Sequence, residues 1–228
     1  TVPYNACLSS TDKAYVWEIS NNPYDISKLT CEVTKPLFGG DYTYDEESKE
    51  AILIDCSDYV QKIVDIVTKE GLNVKYILLT HGHFDHFTGI GKVKQNTAKS
   101  YLHKADKVLL EQINEFMDSL GLPHTQVPQI DVFFDKNTPL YIGKEKIQII
   151  ETPGHTPEGV CFLIQNHLFS GDTLFFQTHG RTDLPFSSQQ QMINSLKELL
   201  NTLPDGTIVY PGHGKSTTIG QEKAFYRF

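Results

Sequence analysis

Short apolar runs alternate with one-faced helical patterns along most of this chain, and the two periods sort it into elements. Ala51–Ile54, Tyr76–Leu79, Ile147–Ile150, Val160–Ile164, Leu168–Ser170 and Ile208–Tyr210 read as strands. Val60, Ile63, Val64 and Val67 recur at i, i+3, i+4 and i+7 behind the capping residues Ser57 and Asp58. That spacing predicts an amphipathic helix ending at Gly71. A second predicted helix carries Leu109, Ile113, Phe116, Met117 and Leu120 on one face. A third starts near Ser187, where Ser188 and Gln191 fit a capping box, and presents Met192, Leu196, Leu199, Leu200 and Leu203. Strands interleaved with one-faced helices predict sheets covered by helices, an α/β layered architecture. No internal repeat, low-complexity tract or Pro/Gly/Ser linker divides the sequence, so a single domain over residues 1–228 is expected.

Composition then narrows the function classes. A chain of 228 residues can bury a full core without covalent staples, so Cys7, Cys31, Cys56 and Cys161 need not form a disulfide framework. Scattered and without metal-like spacing, they read as reduced intracellular thiols. The net charge of -8 and the absence of Lys/Arg runs disfavour nucleic acid or an anionic membrane as partner, because neutralising phosphates takes clustered positive charge. No stretch approaches the roughly 18 apolar residues of a spanning helix, and residues 1–20 lack the layout of a signal peptide. The expected setting is intracellular, cytoplasmic or organellar. Thr1 in place of Met points to upstream processing, which leaves a removed targeting segment open.

The polar residues that carry chemistry sit where predicted strands end. Tyr76–Thr80 runs into His81-Gly82-His83-Phe84-Asp85-His86, three imidazoles and a carboxylate within six residues. On an extended loop His81 and His83 point the same way and can share one divalent metal, while Asp85 and His86 turn toward a second position as the next helix begins. Imidazole nitrogen and carboxylate oxygen suit zinc or iron, and the lack of Cys argues against a closed structural zinc site. Three further strands deliver a matching residue: His155 after Thr152-Pro153-Gly154, Asp172 after Ser170-Gly171, and His213 after Pro211-Gly212. Such delivery is expected when a rigid scaffold presents a site at its edge. His103 reads as the end of a strand, His167 as a hairpin-turn residue and His124 as part of a Pro-flanked loop; Cys56 and Cys161 read as core residues.

On these residues the chain resembles the metallo-beta-lactamase fold superfamily, and within it the hydroxyacylglutathione hydrolase (glyoxalase II) branch in its short form without the helical C-terminal domain. The resemblance covers roughly residues 35–222, leaving about 1–30 as an N-terminal extension in which Ala14–Ile19 would add an edge strand. It implies a four-layer αββα sandwich with the site at the sheet edges. It also implies His81, His83 and His155 on a first metal, Asp85, His86 and His213 on a second, and Asp172 bridging the two. The chain departs from the usual pattern at Glu158, at Asp55-Cys56-Ser57 and at Gly40-Asp41-Tyr42, none of which removes a ligand.

The implied cofactors are two divalent ions, zinc, iron or a mixture, and the implied reaction is hydrolysis of an acylglutathione-type thioester such as S-lactoylglutathione by a metal-bridging hydroxide, with Asp85 orienting it and accepting its proton. Arg181 falls where two-domain glyoxalase II enzymes place a glutathione-holding Lys, and Asp183 where they place a Tyr; His179 lies close by as a further substrate-contact candidate. A local salt bridge between Arg181 and Asp183 is the alternative reading of that pair. The Gly180-Arg181-Thr182-Asp183 stretch also resembles persulfide dioxygenases, mononuclear iron enzymes of the same fold. A nuclease or phosphodiesterase is disfavoured by the charge, and a diiron electron-transfer module by the lack of a flavin partner domain. The expected partner is a small-molecule thioester, with neither nucleic acid nor membrane.

Overall fold

Period-two alternation in the strands builds two sheets back to back. The computed structural model describes residues 31–33, 41–57, 61–93, 98–119 and 121–227; the predicted strand at 14–19, the cap residue Asp58, Val60 and Leu120 lie outside them. Six strands form the first sheet in sequence order: β1 (Cys31–Val33), β2 (Asp41–Asp45), β3 (Glu50–Ile54), β4 (Asn73–Leu78), β5 (Lys99–His103) and β6 (Val132–Phe134). The second comprises β7 (Leu140–Ile142), β8 (Glu145–Glu151), β9 (Val160–Ile164), β10 (His167–Gly171), β13 (Ile208–Pro211) and β14 (Thr217–Thr218), in the order β14-β13-β10-β9-β8-β7. A short hairpin, β11 (Leu174–Phe175) with β12 (Thr178–His179), sits beside it. The helices are α1 (Gln61–Lys69), α2 (Ile90–Val93), α3 (Lys107–Ser119), α4 (Gln189–Thr202) and α5 (Ile219–Tyr226).

Each strand feeds two cores because successive side chains point to opposite faces. In β3, Ala51 and Leu53 pack under the helices with Val67, Ile90, Leu110, Ile113 and Met117, while Ile52 and Ile54 face the other sheet. In β9, Val160, Phe162 and Ile164 meet them there, and Cys161 turns outward against Met192, Leu196, Leu199 and Leu200 of α4. Three apolar layers therefore separate four structural layers, helix, sheet, sheet and helix, which is the αββα sandwich. No helix among the described residues is long and apolar enough to cross a membrane.

The topology explains where polar side chains emerge. β3, β4, β5 and β6 are parallel neighbours, and β10 is parallel to β13 through α4. The C-terminal ends of β4, β10 and β13 therefore open into loops on one edge, as α/β sheets generally present their sites. The two sheets are stitched together there: Val160 N–H donates to the Thr80 carbonyl at 2.9 Å. Gly171, at φ +48°, lies so close to Thr80 that no side chain fits between them.

The predicted helices and strands are present with small shifts at their ends. Gly71 at φ +63° closes the turn after α1, and Ser188 caps α4 by accepting from the Gln191 N–H. His103 does end a strand, but His167 is not a turn residue. The hairpin turns at Gln165, which takes φ +55°, so His167 already pairs with Ile164 and is buried with Nδ1 3.2 Å from the Tyr210 hydroxyl. Cys56 and Cys161 are free and fully buried. Burial pushes the Cys161 thiol up to about 11 and raises Cys56 as well, so neither is reactive.

Phe162 has no exposed surface and fills the layer between the sheets, whereas Phe133 is 42% exposed. Phe162→Ala should cost about 3–5 kcal/mol in urea-unfolding stability, and Phe133→Ala less than about 1 kcal/mol.

Candidate metal centre

Four strand ends bring all seven predicted metal-ligating residues to one place. Their ligand atoms fall into three overlapping sets, each within 4.8 Å: His81, His83 and His155; Asp85, His86 and His213; and a linking set of His81, His86 and Asp172. Asp172 lies between the first two sets. Its Oδ1 is 3.5 Å from His86 Nε2, and its Oδ2 is 3.4 Å from His155 Nε2 and 3.7 Å from His213 Nε2. His213 Nε2 stands 3.3 Å from Asp85 Oδ2. His81, His83, His86 and His155 are buried, while the side chains of Asp85 and His213 are 42% and 44% exposed, so the site opens on their side.

Most of the rings are held by Nδ1, which leaves Nε2 pointing inward. His81 Nδ1 lies 3.0 Å from Thr80 Oγ1, His86 Nδ1 is 2.9 Å from Asp55 Oδ2, and His155 Nδ1–H donates to the Arg181 carbonyl at 2.8 Å. Such outer contacts set tautomer and ring orientation in metal sites. His83 is the exception: its Nδ1 faces His155 Nε2 at 3.0 Å, an approach of two ring nitrogens that suits a cation shared between them.

Three inward atoms, His81 Nε2, His86 Nε2 and Asp172 Oδ1, are buried without a hydrogen-bond partner. Buried polar atoms are nearly always satisfied, and each orphan costs about 1–3 kcal/mol. Three in one cluster of imidazole and carboxylate atoms fit divalent-cation binding, which would satisfy them.

The electrostatics divide the cluster in two. Burial, reinforced by repulsion from the neighbouring imidazoles, holds His81 far below the usual histidine range and brings His83 to about 3. Both rings are thus neutral, with a lone pair available to a metal at any physiological pH. Burial also disfavours charge on His86, but the carboxylates of Asp55, Asp85 and Asp172 outweigh it and lift the ring to about 10. His213 is raised chiefly by its hydrogen bond to Asp85. The second set is therefore rich in negative charge, and a proton on His86 competes with a cation for it.

A family model described as the Metallo-beta-lactamase superfamily matches residues 38–213. The chain belongs to the metallo-beta-lactamase superfamily. The hydroxyacylglutathione hydrolase GloC of Haemophilus influenzae is 33% identical over 183 residues, covering 78% of this chain and 86% of that protein. Among solved structures, the B3 metallo-beta-lactamase BLEG-1 superposes with a TM-score of 0.74 at 32% identity, over 85% of this chain and 96% of that one. TTHA1623 in a di-iron-bound form gives a TM-score of 0.71 at 31% identity, over 86% and 98%.

As a metallo-hydrolase of this superfamily, the chain uses positioning residues that its motifs did not announce. Asp55, at φ +57° after β3, accepts from the Thr80 N–H at 2.8 Å and the Thr80 hydroxyl at 2.9 Å while it holds His86. Asp106, fully buried, accepts from Gly82 N–H at 3.1 Å and Glu158 N–H at 2.9 Å, tying the His81–His83 loop to the loop after His155. Gly212 is required because a Cβ there would stand 2.5 Å from Asp172 Oδ1 and 2.9 Å from His86 Cε1. The loop at Gly212 thus leaves space that belongs to the ligands.

Arg181 and Asp183 form a two-pronged pair, Nε to Oδ1 at 2.8 Å and Nη2 to Oδ2 at 2.9 Å, at the exposed rim. The local salt bridge is thus present, and the backbone carbonyl of Arg181 orients His155. His179, at the end of β12, has its Nδ1 2.7 Å from the Gly180 carbonyl.

Glu158 is raised to about 7, first by burial and then by repulsion from Glu151 and Asp106, against attraction from Lys136. The folded protein then binds more protons than the unfolded chain between pH 4.5 and 7, so stability falls as pH rises through that window. Glu158→Gln should match the parent melting temperature near pH 4.5 and exceed it above pH 7. Thermal scans across this range check the prediction, and parallel curves would contradict it.

Proposed function

We propose that the protein hydrolyses acylglutathione-type thioesters, with His81, His83 and His155 holding one divalent ion, Asp85, His86 and His213 a second, and Asp172 reaching both. The observation that carries this reading is the linked pair of ligand sets around Asp172, with partnerless buried atoms in each half. A single ion with open positions cannot use seven ligands. The second set is complete, which favours a two-metal hydrolase over a mononuclear oxygenase. The similarity to GloC supports the thioester as substrate class.

Bound divalent ions supply a water of lowered pKa and a Lewis acid for a carbonyl oxygen. The chain's own residues do the rest. Asp172 and the buried imidazoles would hold the ions, and the Arg181 carbonyl keeps the His155 lone pair aimed inward. Asp85, partly exposed at the open side, would accept a hydrogen bond from the attacking water and orient it. Desolvation by the surrounding groups opposes its ionisation, yet His86 and His213 hold its carboxyl below the usual range, so it would anchor the water while the proton passes to solvent at the open side. A thioester suits this arrangement because its thiolate leaves without needing protonation by a protein acid. Arg181 and His179 are the candidates for holding a glutathione moiety, and Arg181 would exchange Asp183 for a substrate carboxylate.

Loading the ions must displace the His86 proton, so metal affinity should fall as pH drops and loading should release protons. Asp172→Ala should lose both ions and all turnover of S-lactoylglutathione, whereas His213→Ala should retain about one ion per chain. Elemental analysis with steady-state kinetics on metal-replete protein reads both. Equal metal retention in the two variants would remove the bridging role. Oxygen uptake with glutathione persulfide and no turnover of any acylglutathione would reject the thioesterase reading.

A further inference from the structure

A cavity of about 190 Å³ opens beside His83, between α3 and the loop at Pro185–Phe186. Its apolar walls are Leu109, Ile113, Phe116, Pro185 and Phe186, the exposed Gln112, Glu115 and Ser119 of α3 complete the lining, and His83 is the one metal-centre residue on its surface. The position follows from the packing of α3. Asp106, just before that helix, binds the Gly82 N–H, and the helix lies so close that a Cβ on Gly82 would meet Leu109 Cβ at 3.1 Å. Phe116, two turns further on, stacks on the His83 ring with centroids 5.7 Å apart and planes 21° from parallel.

The opposite wall is held to the same centre. Its loop is tied at one end by the Arg181 carbonyl to His155 and at the other by Ser188 N–H, which donates to the Gly154 carbonyl at 2.7 Å. Within the loop Phe186 takes φ +66° and leaves its ring 46% exposed. A bulky residue in the left-handed region is strained, and an exposed aromatic ring loses its burial free energy. Both penalties fall on a side chain that lines an apolar cavity next to a candidate metal ligand, which is where a ligand clamp belongs.

We infer that this cavity receives the acyl group of the substrate and selects a hydrocarbon or aromatic acyl chain over a hydroxyacyl one. The inference rests on the thioesterase reading above. Glutathione cannot be the occupant: its carboxylates would lose hydration against apolar walls, and the only charged side chain lining the cavity, Glu115, repels them. The thiol moiety therefore leaves toward the Arg181 rim and the acyl group toward α3. A dry apolar cavity of roughly 150 Å³ holds a benzene-sized guest, so this one accommodates a phenyl ring or a chain of about six carbons. A short, polar lactoyl group would leave most of the five apolar walls uncovered, whereas a hydrocarbon chain or ring buries its own apolar surface against them.

The test is a series of S-acylglutathiones, acetyl, butyryl, hexanoyl, octanoyl and lactoyl, assayed with metal-replete protein. We expect kcat/KM to rise about threefold per methylene up to hexanoyl, to level off at octanoyl, and to exceed the lactoyl value at least about tenfold at hexanoyl. Phe186→Ala should reduce the hexanoyl-to-lactoyl ratio about fivefold or more, since the ring is exposed and its removal leaves the core intact. Turnover with no dependence on chain length, or a lactoyl preference, overturns the acyl cavity and leaves the thioesterase reading standing. If no thioester is turned over, calorimetric binding of hexanoate and lactate to the same protein decides. Tighter hexanoate binding that weakens in Phe186→Ala keeps the cavity and rejects the reaction, while equal binding of the two acids rejects the cavity as well.

Discussion

The carboxylate of Asp172 is the point on which this structure turns. It is held between His86, His155 and His213, all within 3.7 Å, with Oδ1 buried and unpartnered. Protein groups alone cannot satisfy it. A buried charge demands a counter-charge, and the surrounding imidazoles include two that burial keeps neutral. The site is therefore built short of positive charge, and on the two-ion proposal a divalent cation in each half would supply what His86 otherwise makes up by carrying a proton. Metal affinity, protonation of His86 and the orientation of Asp172 would then be one coupled equilibrium.

The rest of the fold keeps that arrangement from relaxing. Ligands arrive from β4, β8, β10 and β13, which belong to two different sheets, so their spacing depends on how the sheets meet. Thr80 is the hinge of that meeting: its carbonyl takes the Val160 N–H, its amide and hydroxyl bond Asp55, and its hydroxyl steadies His81. The inter-sheet layer around Phe134, Phe162 and Phe169 then fixes the sheets over a longer distance. Asp55 and Asp106 contribute little to any apolar core, yet each joins loops that the metal centre requires to be in register.

Much of this was legible in the sequence because it is local. His81, His83, Asp85 and His86 lie within one turn of chain, and His155, Asp172 and His213 each follow a strand and a glycine. The helix with Leu109, Ile113, Phe116 and Met117 showed itself by periodicity, and Ser188 by its capping chemistry. The hidden parts are those made by contacts across the fold. Asp55 acts on His86 from 31 positions away, and Asp106 acts on Gly82 from 24, with no spacing rule to connect them. The acyl cavity is likewise formed by α3 and a loop about 70 residues later, and only the φ of Phe186 marks it. β6, β7, β11, β12 and β14 span three residues or fewer, too few for alternation to register. His167 was misplaced because a two-residue hairpin with Gln165 at positive φ ends sooner than its polar flank suggests.

Anomalous diffraction at the absorption edge of the bound metal tests the central claim most directly. The account predicts two ions about 3.5–4 Å apart, one within about 2.0–2.3 Å of nitrogens of His81, His83 and His155, the other equally close to His86 and His213, and Asp172 in contact with both. A single ion, or a pair that leaves Asp172 unligated, would contradict it.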